Sequence, residues 1–189
     1  MAEKDIISER GRSLEEDYFR KKDNELIEKM RKASAAEDAR AAMGQKTGIT
    51  DPELLMELDA LGFTPESVVL LPLIPAVKMA WADREVSARE REMIVKLARS
   101  RGIDEGSFAD RTLANWLEAR PVAAIFDNAT RLIRAMLASS NQSDLTVDDL
   151  VKQAEAIAAA SGGILGINRV SAEERHLLAA LADELKADL

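Results

Sequence analysis

The chain has 189 residues, no cysteine, one histidine and a formal net charge of −8. That length suits one domain, or one domain with an appended arm, and is enough to bury a self-sufficient apolar core. The lack of cysteine excludes disulfides, thiolate chemistry and Cys-based zinc sites, and a lone His176 excludes a His-rich metal site. The acidic balance argues against nucleic acid as a partner, because phosphates need a basic patch.

The first 46 residues differ from the rest. They carry 11 Lys+Arg against 11 Asp+Glu, so the whole acidic excess lies in the remaining 143 residues. A helix is predicted over roughly 13–43, opened by a capping box at Ser13-Leu-Glu-Glu16. Phe19, Leu26 and Met30 share one narrow face of it, with Leu14 and Tyr18 nearby. A charged helix with a narrow apolar stripe suits docking onto a protein partner, a sister chain or its own domain. Gly44-Gln-Lys-Thr-Gly48 then reads as a flexible stretch.

Further along, helix starts and stops recur. Asp51-Pro52 and Thr64-Pro65 place Pro at a first helical position, and Ser87-Ala-Arg-Glu90 and Ser171-Ala-Glu-Glu174 are capping boxes. Helices are predicted over roughly 51–61, 65–82, 88–101, 104–119, 121–138, 146–161 and 171–187. Residues 65–82 are apolar on nearly every side, which marks a helix buried among others, and Pro72 and Pro75 are expected to kink it. No strict alternation competes, and aromatics are only 4 %, which favours helices over sheets. The predicted class is all-α, a pseudo-two-fold bundle of about seven helices over 65–189, with the arm at 1–46 and a short helix and linker at 47–64.

One motif is repeated. Trp81-Ala-Asp-Arg-Glu-Val-Ser-Ala-Arg-Glu-Arg-Glu92 is echoed by Gly166-Ile-Asn-Arg-Val-Ser-Ala-Glu-Glu-Arg175, sharing Val-Ser-Ala, a Glu and an Arg. Both are turns feeding a helix. Capping alone accounts for Ser87, Glu90, Ser171 and Glu174, at about 1 kcal/mol per cap. It leaves Asp83 unexplained. A hard divalent cation wants six or more oxygens, and Asp83, Glu90, Glu174 and Asn168 could supply some of them. The acid spacing is not that of an EF-hand.

Ala82-Asp83-Arg84-Glu85-Val86-Ser87-Ala88-Arg89-Glu90 resembles the doubled A-D-G-x-[IV]-S-x-x-E signature of TerB-like domains, named for bacterial tellurite resistance. The likeness covers roughly residues 65–187. It implies an all-helical fold, a stress-related and non-enzymatic role, and a divalent cation (calcium, magnesium or zinc) on Asp83, Glu90 and Glu174. Ile167 stands at the second Asp position, with Asn168 beside it, and Arg84 replaces the signature's Gly.

The arm sequence Glu15-Glu-Asp-Tyr18-Phe19-Arg20, with the alternating charges after it, is similar to the inhibitory helix of the mitochondrial ATP synthase inhibitor. That likeness implies partner contacts on Glu15, Tyr18, Phe19 and Arg20 and a regulator's role. No nucleophile with a histidine base can be assembled, so an enzyme is not expected. The first thirty residues hold no apolar signal-like run, and residues 68–82 are too short to span a bilayer. A cytoplasmic protein without membrane insertion is the expectation.

Overall fold

A computed structural model describes the backbone of residues 2–139, 145–161 and 172–187, and the side chains of 18–139, 145–160 and 174–187. Its helices are α1 (Ala2–Thr47), α2 (Pro52–Ala60), a 3₁₀ segment (Val68–Leu73), α3 (Ile74–Ala80), α4 (Ala88–Ser100), α5 (Phe108–Glu118), α6 (Ala123–Ser139), α7 (Val147–Ser161) and α8 (Ala172–Lys186). The described residues contain no strand, so the chain is all-α. Contacts divide it into a unit of residues 1–39 and a unit of residues 40–189.

In the first unit, α1 runs without a break from Ala2. Ser13 therefore lies inside the helix rather than at its start, since the residues before it include no Pro and Gly11 alone does not break the helix. From Tyr18 to Ala35 every side chain is exposed, so the helical face carrying Phe19, Leu26 and Met30 is bare.

In the second unit, α3 lies at the centre and packs against α4, α6, α7 and α8. Ile74, Ala76, Val77, Met79 and Ala80 are all buried, as the all-round apolar sequence demands. The predicted single helix over 65–82 is instead a 3₁₀ segment followed by a short α-helix. The prolines are the reason: each lacks an N–H and its ring crowds the carbonyl four residues back. The tighter 3₁₀ pattern over Val68–Leu73 accommodates Pro72, and Pro75 sits in the first turn of α3, where a missing donor costs nothing.

Two further boundaries depart from expectation. The Gly44–Gly48 stretch is not a loose linker, since α1 continues to Thr47 and buries Met43 and Thr47 in the core together with Ile49. Gly48, at φ +77°, ends the helix by donating to Gly44 O at 2.8 Å. Helix α5 begins at Phe108 rather than near 104, because Ser107 caps it by accepting from Asp110 N and Gly106 makes the turn before it at φ +71°.

Candidate functional site

The repeated turn begins where α3 ends. Trp81 N donates to Val77 O, and Arg84 N donates to Trp81 O at 3.2 Å, which folds the chain back after the helix. Arg84 has φ +72°, the one non-glycine in the left-handed region among the described residues. This is the position at which the TerB-like signature has Gly. A side chain there costs about 1 kcal/mol, partly offset by the chain entropy a glycine adds to the unfolded state. Arg84→Gly is accordingly expected to leave stability unchanged or to raise it by up to about 1 kcal/mol in a chemical melt. A clear loss would show that the Arg84 side chain, not only its backbone, holds the turn.

Ser87 follows as the cap of α4, with both arms of the box present. Glu90 N donates to Ser87 Oγ at 3.2 Å, and Ser87 N donates to Glu90 Oε2 at 2.8 Å. Glu90 is thereby fixed as the third residue of α4, and it is only 2 % exposed. Glu174 is likewise the third residue of its helix, α8, and is also 2 % exposed. The two glutamates that correspond in the repeated motif are thus both buried at helix starts. They lie close enough for the Glu174 charge to act on Glu90, as does that of Asp83.

Burial pushes the Glu90 carboxyl above the ordinary carboxylate range. The bonds from Ser87 pull the other way, and the negative charges of Glu174 and Asp83 add to the upward push. Asp83 itself is exposed on the turn, beside exposed Glu85. The structure therefore brings Asp83, Glu90 and Glu174 into one electrostatic neighbourhood, while Asn168 lies outside the described residues. Among the described residues no three acidic or histidine side chains are already arranged to hold a metal ion.

Two further residues of the motif, to which the sequence assigns no role, position this corner. Trp81 Nε1 donates to Trp116 O at 2.8 Å, and Arg91 Nη2 donates to Leu117 O at 2.7 Å. Both carbonyls belong to the last turn of α5, where backbone acceptors have no partner inside the helix. The repeat did contain a signal for Arg91, because the same Arg recurs as Arg175. Nothing local in sequence could have paired Trp81 with a carbonyl 35 residues away.

Of the arm residues, Tyr18, Phe19, Leu26 and Met30 are 57–64 % exposed, and Arg20 is exposed as well. Tyr18 and Phe19 meet edge to face with ring centroids 5.9 Å apart. The Glu15 side chain lies outside the described residues. His176 is exposed on α8, and no helix among the described residues is long and apolar enough to cross a membrane. No family model, curated protein or solved structure matches this chain.

Proposed function

We propose that this chain is a non-enzymatic, TerB-like helical protein with a stress-related role. In this reading it binds a divalent cation where the α4 and α8 helix starts meet, and engages a protein partner through α1. The observation that supports the cation reading is the shared burial of Glu90 and Glu174, with Asp83 adding charge from the turn. Capping rewards one buried carboxylate at one helix start. It does not reward gathering like charges, which a cation would offset.

The donors are oxygens, which suits calcium or magnesium better than zinc. Glu90 Oε2 accepts from Ser87 N, so its other carboxyl oxygen is the one that would face the ion. Calorimetric titration with calcium, magnesium, manganese and zinc tests this. One of them is expected to bind and to raise stability, reversibly with chelator, by about 2.7 kcal/mol at a hundredfold excess over Kd, with a matching rise in melting temperature. Asp83→Asn is expected to weaken that binding. Absence of heat from all four, with melting indifferent to chelator, rejects the cation and leaves a structural adaptor in which these acids are caps.

The partner reading is supported by the bare face of Phe19, Leu26 and Met30. The exposure of Tyr18, Phe19 and Arg20 also favours a second reading, regulation of a rotary ATPase through α1. Turnover of such an ATPase unchanged by saturating full-length chain rejects that reading.

A further inference from the structure

Between Tyr18 and Met30, α1 is a helix whose large apolar side chains have no cover. Tyr18, Phe19, Leu26, Ile27 and Met30 are each at least 46 % exposed. Such a helix is only marginal in water, because helices in proteins draw most of their stability from packing an apolar face. Phe19, Leu26 and Met30 follow one another at seven- and four-residue steps, which places them on a single seam. The pattern of charge around that seam indicates what covers it.

The charges come in four consecutive blocks of three. Glu15, Glu16 and Asp17 are negative, Arg20, Lys21 and Lys22 positive, Asp23, Glu25 and Glu28 negative, and Lys29, Arg31 and Lys32 positive. We propose that α1 pairs with α1 of a second copy of this chain, antiparallel, about a two-fold axis passing between Asp23 and Asn24. That axis maps residues 15–32 onto themselves in reverse. It sets residues 15–17 against 30–32 and residues 20–22 against 25–27, so that Glu15 and Glu16 come level with Lys32 and Arg31 and Lys22 with Glu25, while Asp23 lies beside Asp23 of the second copy at the axis. Lys22 of each copy faces Glu25 of the other.

The same register serves the seam. At 1.5 Å per residue, Phe19 of one helix comes level with the gap between Leu26 and Met30 of its partner, ~3 Å from each along the axis. That is the interdigitation a helix pair needs. A parallel, in-register pair would instead place every block against its own sign. The contact spans about 27 Å of helix, and because its charges are exposed the pair is expected to weaken with salt.

The inference deepens the reading of α1 as a docking segment by naming the partner, and it is independent of the cation. Its test uses the full chain in analytical ultracentrifugation across low to high micromolar concentration. Wild type is expected to go from monomer to dimer. Phe19→Glu with Met30→Glu is expected to stay monomeric without change in the melting of the core, since both side chains are exposed. Lys22→Glu is expected to weaken the dimer about tenfold, and the swap Lys22→Glu with Glu25→Lys to restore it.

Because the chain has no cysteine, orientation can be read directly. Asp23→Cys, beside the axis, is expected to cross-link the copies on oxidation. Ala33→Cys is not, because its partner atom would lie ~28 Å away along the axis, far beyond disulfide reach. A monomer at every concentration, a dimer indifferent to the seam and swap variants, or cross-linking through Ala33→Cys would each overturn the proposal. Calorimetry on the same protein reads the cation separately, and a monomer whose α1 binds another protein leaves the broader docking reading standing.

Discussion

Met79→Ala lowers the stability of this protein by about 2–5 kcal/mol, the range for emptying a fully packed core position. Met79 is 1 % exposed on α3, the helix against which α4, α6, α7 and α8 all pack. The lost thioether chain leaves a cavity that four neighbouring helices cannot all close. For a chain of this size the loss corresponds to a fall in melting temperature of roughly 5–15 °C. The consequence reaches the site, because α3 leads directly into the turn carrying Asp83. A Met79→Leu variant, which conserves volume, is expected to lose less than about 1.5 kcal/mol. Equal losses for the two substitutions in denaturant melts would mean that α3 is not the packing centre.

The second large effect concerns Glu90 and its sign with pH. The folded chain holds the Glu90 proton more tightly than the unfolded chain does, chiefly because the carboxyl is buried. Its contribution to stability is then fully present below the ordinary carboxylate value and is lost as pH rises through the raised folded value. Glu90→Gln removes the charge but keeps an oxygen able to accept from Ser87 N. It is expected to melt higher than wild type near neutral pH and to flatten the pH dependence between the ordinary and the raised value. Glu90→Ala removes the cap as well and is expected to lose about 1 kcal/mol relative to Glu90→Gln. A Glu90→Gln protein that melts lower than wild type at neutral pH, with the same pH slope, would show that Glu90 is stabilised as an anion. Bound cation would reverse the wild-type trend, since it favours the charged form, so the experiment is done with and without chelator.

Much of the fold was legible in local sequence. The Ser87–Glu90 box, the Asp51-Pro52 start and the apolar stripes of α4 to α8 follow from rules that act within one or two turns of chain. The misreadings share a cause. Ser13 and Gly44 have the composition of a boundary, but flanking helix formers in the first case and burial of Met43, Thr47 and Ile49 in the second keep the helix going. The prolines at 72 and 75 were visible, yet whether they kink an α-helix or divide it into a 3₁₀ segment and a short α-helix depends on packing around Leu70, Leu71 and Leu73.

The sequence by itself determined the all-α class, the charge order and narrow apolar stripe of α1, and the caps that start α2 and α4, because periodicity, charge order and capping are short-range properties. It also singled out Glu90 and Glu174 as corresponding positions of a repeat, and Asp83 as the acid that capping leaves unexplained. Only the tertiary structure decided that Glu90 and Glu174 are both buried and near enough to repel, that Arg84 is held at positive φ, and that Trp81 and Arg91 anchor the last turn of α5. Those facts join residues tens of positions apart, and no local rule of helix formation specifies which helix starts the packed core brings together.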